Sequence, residues 1–146
     1  MKLGRLNHIG VATPSISDSI TYYREVMGAS DITDPFDLPE QGVKVCFVNT
    51  PTDTGMNGTQ IELIEPYDES SPINGFLAKN PAGGQHHVCY EVADIEEARA
   101  HFEGLGKRIL GPTRIGAHGT PIFFLHPKDM MGQLTEIMET PKDGAH

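Results

Sequence analysis

The sequence is short of the features that mark several large protein classes. It has no tryptophan and two cysteines, Cys46 and Cys89, which form neither a CxxC pair nor a Cys/His spacing. A disulfide framework or a zinc ribbon is therefore not expected, and a reducing cytoplasm is the expected compartment. No apolar run approaches the ~18–20 residues of a membrane span, and the start of the chain lacks the ~7–15-residue apolar stretch of a signal peptide. Positive charge is scarce: 11 Lys and Arg stand against 20 Asp and Glu, a net charge of -9. That balance argues against nucleic acid as a partner, although a local group of Lys and Arg still suits an anionic small molecule. GxGxxG and Walker A loops are absent, as is a nucleophile elbow, so the common nucleotide cradles and serine hydrolase signatures are missing.

What is present is a chain long enough for one domain with a real core, and an internal repeat. Shifting by 79 residues aligns His8 with His87, Ile16 with Ile95, Tyr23 with Phe102 and Val26 with Leu105. Each copy reads as a short strand, a capped turn and an amphipathic helix. Ser15 or Ser17 caps the first helix and Asp94 the second, while Gly28 and Gly106 end them. The second halves match as well. Phe47–Pro51 corresponds to Phe123–Pro127 at a shift of 76, and Glu62–Glu65 to Glu136–Glu139 at a shift of 74. Turns fall at Asp53, Gly55, Asn57 and Gly58 in one copy and at Asp129 and Gly132 in the other. The polar stretches Ser30–Thr33 and Lys107–Leu110 leave room for one more strand per copy. Between the copies, Ser71 as N-cap with Pro72 at the first helical position predicts a short bridging helix. Asn80–Gly84 is a loop, and Pro141–His146 reads as a frayed tail.

The repeat brings two histidines and two glutamates into register: His8 with His87, and Glu62 with Glu136. Strand side chains alternate faces, so His8 lies with Gly10 and Ala12, His87 with Cys89 and Glu91, Glu62 with Gln60, and Glu136 with Met138. A lone strand histidine is usually an ordinary hydrogen-bonded residue. Four ligand-type side chains at matched positions point instead to a divalent cation, and two imidazoles with two carboxylates suit Co, Mn, Zn, Ni or Fe(II). The other histidines rank lower. His86 faces the opposite way from His87, His101 is solvent-facing, His126 makes turn hydrogen bonds before Pro127, and His118 sits on a loop beside glycines.

At these residues the sequence resembles the vicinal oxygen chelate superfamily and, within it, the methylmalonyl-CoA epimerases. The resemblance runs from about Leu6 to Glu139 and rests on Leu6–Ile9, Pro39–Val43, Ile61–Pro66, Ser71–Ile73, Gly84–Val92, Ile115–Gly119 and Phe124–Asp129 with Glu136. It implies an α+β fold: one domain over 1–146, in which two βαβββ modules (5–67 and 84–140, with a linker helix at 71–80) form an open, barrel-like sheet around a metal cleft. It implies metal ligands His8, Glu62, His87 and Glu136. Glu62 is preferred to Gln60 because it stands opposite Glu136 in the repeat. Co2+ or Mn2+ is favoured, with Zn2+ or Ni2+ as alternatives.

The implied substrate is an acyl-CoA, the assembly a homodimer, and the reaction inversion at the carbon between a thioester and a carboxylate. Glu136 serves as the base. Where some bacterial members carry a second glutamate, this chain has Val45, so the opposite face needs another group; His118, Glu91 and Glu40 are the candidates. Arg114, Lys128, Lys44, Lys107 and Arg108 are candidates to meet coenzyme A phosphates or to be ordinary solvated charges. The rival readings on this fold are a glyoxalase, an extradiol dioxygenase and a metal-free binding protein. The fourth ligand argues against the dioxygenase, which wants three protein ligands and open positions on iron. The 7% aromatic content argues against the aromatic-rich cleft of the binding protein.

Overall fold

The computed structural model describes residues 1–52 and 57–142. The predicted turn residues Asp53 and Gly55, and the tail from residue 143, lie outside the described residues. The chain divides into two compact units, His8–His86 and Met1–Asn7 with His87–His146. The first is thus shifted from the predicted module: the bridging helix belongs to it, while residues 1–7 go with the second.

The elements run β1 (Leu6–Ala12), α1 (Ile16–Glu25), β2 (Phe36–Leu38), β3 (Val43–Pro51), β4 (Asn57–Pro66), α2 (Ile73–Lys79), β5 (Gly84–Val92), α3 (Ile95–Gly104), β6 (Arg114–Ile115), β7 (Pro121–Leu125) and β8 (Thr135–Glu139). This is an α+β chain with the βαβββ order twice. The strands of the first unit lie in the order β2-β3-β4-β1, and those of the second in the order β5-β8-β7-β6. In both, the first strand pairs in parallel with the last of its module, and the remaining pairs are antiparallel. No helix among the described residues is long and apolar enough to cross a membrane.

The helices start where small polar side chains can hold free backbone donors. Ser15 Oγ accepts from the Asp18 N–H, and the Asp94 carboxylate accepts from the N–H groups of Glu96 and Glu97. Ser15, not Ser17, is the first cap. A second device repeats in both units: Glu65, at the end of β4, accepts from the Ile16 N–H at 2.9 Å, and Glu139, at the end of β8, from the Ile95 N–H at 3.1 Å. A carboxylate at a helix N-terminus is favoured by the macrodipole as well as by the bond. Helix α2 begins one residue later than expected, at Ile73, whose N–H reaches Ser71 Oγ at 3.3 Å.

One strand prediction needs correction. Ser30–Thr33 and Lys107–Leu110 form single bridges only, Ile32 to Val48 and Ile109 to Leu125. The extra strands are β2 and β6, which begin beyond Pro35 and Pro112. Proline has no N–H to give a ladder, so the polar stretch cannot continue through it.

A second correction concerns register. Thr33 N–H bonds to Phe47 O and Asn49 N–H to Asp31 O; in the other unit Leu110 N–H bonds to Phe124 O and His126 N–H to Arg108 O. All four residues of the first unit map onto the second at a shift of 77, so Phe47 matches Phe124 and not Phe123.

Each helix covers one face of its own sheet. Ile16 packs with Cys46, Val48 and Leu63, joined by Val11, Ile20 and Tyr23. Ile95, Ala98 and Phe102 pack with Val92, Phe123, Leu125 and Ile137. Cys46 is sealed in this core and burial pushes its thiol pKa up, the state of an inert structural cysteine. The Gly83–Gly84 loop has a steric reason for its glycine. Gly83 has φ +85°, and a Cβ there would lie 2.3 Å from Ala12 O.

The second unit also buries a carboxylate. Glu91 is 3% exposed; its Oε2 accepts from Arg5 Nε at 2.6 Å and from Asn7 Nδ2 at 2.9 Å. The backbone is tied at the same place, Gly4 N–H to Glu91 O and Glu91 N–H to Arg5 O. These bonds explain why residues 1–7 belong to the second unit. Glu91→Leu, similar in volume, removes the carboxylate that the buried Asn7 amide and Arg5 bond to. The expected cost is about 1–3 kcal/mol of unfolding free energy, read as a lower urea midpoint at unchanged slope. An unchanged midpoint would show that this carboxylate holds nothing together.

Candidate functional site

The face of each sheet turned away from its helix carries the predicted ligands. On β4, Leu63 points to α1, so Glu62 points the other way; on β1, Val11 packs towards the helix and His8 does not. The same alternation on β8 sends Ile137 to α3 and Glu136 to the opposite face.

The two glutamates occupy equivalent places in their ladders. Glu62 lies between Gly10 on β1 and Phe47 on β3. Glu136 lies between Cys89 on β5 and Phe124 on β7. Gly10 and Cys89 each follow the histidine of their strand by two residues. In the first unit His8 Nε2 stands 3.7 Å from Glu62 Oε1. In the second, His87 Nε2 stands 3.2 Å from Glu136 Oε1. All four side chains are buried, His8 completely and the others to within 6% exposure. Each unit therefore sets one imidazole against one carboxylate in a place poor in water, where a carboxylate needs a compensating charge or hydrogen bonds.

The His87–Glu136 pair has the spacing that two ligands of one ion require. Metal–N and metal–O bonds of about 2.1 Å, meeting at the angles of tetrahedral or octahedral sites, put donor atoms about 3.0–3.4 Å apart. The His87–Glu136 separation falls in that range and the His8–Glu62 separation is slightly wider. The donor set fits a borderline divalent cation, as expected from the residue types.

Two groups that line this face were missed in the sequence. Phe47 and Phe124 flank the glutamates. The Phe124 ring meets the His87 ring edge-on, with centroids 5.4 Å apart. The 76-residue shift had matched Phe47 to Phe123, which packs under α3 instead. A one-residue slip moves a side chain to the other face, and only the ladder settles which residue is which. Cys89 shares the face of His87, as the strand alternation predicts, and is buried beside Glu136 with its Sγ 3.9 Å from Met138 Sδ.

The other predicted groups are also placed. Gln60 donates to Asn49 Oδ1 at 2.7 Å, so its amide is engaged within the first unit. Glu91 is withdrawn from proton transfer by Arg5 and Asn7, which corrects its candidacy. Glu40 is exposed on a short turn of 3-10 helix. Val45 is buried between Phe36 and Ile64 and has no proton to give. His86 packs edge-on against Phe76. His101 is exposed, and His126 Nδ1 accepts from the Lys128 N–H as a turn cap. His118 is half-buried in the β6–β7 turn. Arg108 is clamped by Asp129 at 2.9 Å, which holds that carboxyl well below the usual carboxylate range. A cavity of about 440 Å³ in the first unit is lined by Thr13, Ser15, Ser19, Tyr22 and Tyr23 among others; neither His8 nor Glu62 reaches it.

Comparison with known proteins bears on the whole chain. The profile of the Glyoxalase/Bleomycin resistance protein/Dioxygenase superfamily matches residues 7–124. The chain is 48% identical over 137 residues to the ethylmalonyl-CoA/methylmalonyl-CoA epimerase of Cereibacter sphaeroides, over 92% of this chain and 97% of that one. It is 46% identical over 138 residues to the mitochondrial methylmalonyl-CoA epimerase of Dictyostelium discoideum, over 94% and 79% of the two chains. Among solved structures, a methylmalonyl-CoA epimerase in complex with methylmalonyl-CoA and NH4+ has a TM-score of 0.86 at 32% identity, over 97% of both chains. A Streptomyces coelicolor methylmalonyl-CoA epimerase variant in complex with 2-nitronate-propionyl-CoA has a TM-score of 0.84 at 33% identity, over 95% of this chain and 99% of that one. The chain belongs to the Glyoxalase/Bleomycin resistance protein/Dioxygenase superfamily and, within it, to the methylmalonyl-CoA epimerases.

Proposed function

We propose that this chain is an epimerase that inverts the α-carbon of methylmalonyl-CoA and also accepts ethylmalonyl-CoA, which is larger by one methylene. The observation that carries the reading is the repeated imidazole–carboxylate pair: His8 with Glu62 and His87 with Glu136, buried at equivalent ladder positions. In this reading the four side chains together hold one divalent cation. Two neutral imidazoles and two carboxylates carry a charge of about -2, which a dication neutralises. Co2+ or Mn2+ is the favoured ion, with Zn2+ or Ni2+ as alternatives. The protein works as a cytoplasmic homodimer, a state that sedimentation checks directly.

A bound divalent cation supplies positive charge near the thioester oxygen, where negative charge develops as the α-proton leaves. The remaining work falls to the chain's own groups. Glu136 removes the α-proton: its carboxylate is buried, so it is poorly hydrated and held in one orientation by its ladder. Phe124 and Phe47 flank the carboxylates with apolar surface and keep bulk water from the carbanion-like carbon. Inversion requires a proton from the opposite face. Val45 has no proton to give and Glu91 is engaged by Arg5 and Asn7, so in this reading His118 or Glu40 returns the proton on that face.

The test is isotopic. With added Co2+ or Mn2+ the protein should carry deuterium from solvent into the α-position of methylmalonyl-CoA far faster than buffer and metal alone. Equal rates with and without protein would falsify the epimerase reading. A parallel run with ethylmalonyl-CoA measures the chain-length preference.

A further inference from the structure

We propose that Arg114 is the residue that anchors an anionic group of the acyl-CoA substrate, the carboxylate of the acyl group or a phosphate of its carrier. The proposal rests on the epimerase reading and adds a specificity-determining residue to it.

The ladder puts Arg114 on the right face. Arg114 is the antiparallel partner of Ile122, and directly opposed residues in such a pair project to the same side. Ile122 packs with Cys89, Met138 and Phe124, the residues that surround Glu136. The Arg114 guanidinium lies 5.9 Å above the centroid of the Phe124 ring, and that ring is the one that meets His87 and stands beside Glu136. A guanidinium held over an aromatic face keeps its edge donors free for a planar anion.

The other arginines of this unit are committed elsewhere. Arg5 is bound to Glu91 and Arg108 to Asp129. Arg99 lies over Phe123, beneath α3, and donates to Thr113 Oγ1 and Gly111 O. Among the described residues no carboxylate pairs with Arg114, and its side chain is exposed. Arg99 also contributes, because its bonds to the Gly111 carbonyl and the Thr113 hydroxyl tie down the chain on the approach to Arg114. The result is an exposed cation, held by a ring contact and a ladder position, next to the base. A chain with a charge of -9 repels an anionic thioester at long range, so a local cation of this kind is what lets it dock.

The experiment uses Arg114→Ala and Arg114→Lys in the metal-loaded protein. Two substrates are compared: methylmalonyl-CoA and the methylmalonyl thioester of pantetheine, which keeps the carboxylate and lacks the phosphates. Arg114→Ala should raise KM for methylmalonyl-CoA about 10- to 100-fold, the loss of a charge-assisted pair, with kcat little changed, as expected when binding common to ground and transition states is removed. Arg114→Lys should recover part of the loss. If the KM penalty persists on the pantetheine thioester, the anchored group is the carboxylate; if it disappears there, the group is a phosphate. An unchanged KM on both substrates, or a fall in kcat alone, overturns the proposal. A wild-type protein that exchanges no α-proton overturns the epimerase reading instead, so the two failures are told apart. Because the side chain is exposed, the thermal midpoint should be unchanged in both variants.

Discussion

Glu136→Gln should lower the rate of α-proton exchange by about 10²- to 10⁴-fold, the range found when a positioned general base is removed. The substitution keeps the shape of the side chain and a carbonyl oxygen that can still face the cation, but it removes the group that takes the proton. The loss should appear mainly in kcat, since the missing interaction belongs to proton transfer and not to docking. Glu62→Gln provides the contrast. Glu62 has the same ladder position in the other unit, but the base role is assigned to Glu136. Glu62→Gln should therefore weaken the metal and leave more of the chemistry intact at saturating metal. Exchange rates in deuterated buffer at several Co2+ concentrations separate the two variants. If Glu136→Gln exchanges as fast as the parent at saturating metal, the base lies elsewhere.

Removal of the metal is the second large effect. Dialysis against a chelator should abolish epimerisation, and Co2+ or Mn2+ should restore it. His8→Ala should weaken metal binding by more than the ~10- to 100-fold typical of lost outer partners, since it deletes a proposed ligand itself. Metal binding can be read without any turnover. A ligand that binds only the folded state stabilises it by about 2.7 kcal/mol at a hundred times its Kd, so the parent's thermal midpoint should rise with Co2+ and that of His8→Ala should rise much less. His8 is fully buried, so its removal also costs stability in the metal-free protein. The metal-dependent increment, not the absolute midpoint, is the quantity that tests the ligand. Equal increments in parent and variant would mean that the ion binds away from His8.

The duplicated module explains why each unit holds a like pair of side chains. Each βαβββ unit brings a histidine from its first strand beside a glutamate from its last, because those strands pair in parallel. The units differ beside their glutamates: Gly10 neighbours Glu62 where Cys89 neighbours Glu136, and in the second unit the Arg114 guanidinium lies over Phe124.

Much of this was legible in the residues themselves. The duplication, the repeated strand–helix order, the cap at Asp94 and the matched positions of His8 with His87 and of Glu62 with Glu136 all follow from sequence pattern. Such features depend on alternation, periodicity and small polar residues at helix starts, and these act over a few residues. The extra strands were placed too early because Pro35 and Pro112 act on hydrogen bonding that the polar composition does not reveal. Glu91 looked like a proton carrier because its partners Arg5 and Asn7 lie more than eighty residues away.

By itself, then, the sequence determined which residue types recur, at what spacing and on which kind of element. Only the tertiary structure decided that the second halves match at 77 residues, that Phe47 and Phe124 flank the glutamates, that Glu91 is a structural carboxylate and that Arg114 overlies the ring beside Glu136. The physical reason is that a strand has a period of two residues: one step of register exchanges its faces, and register is set by hydrogen bonds to strands distant in the chain.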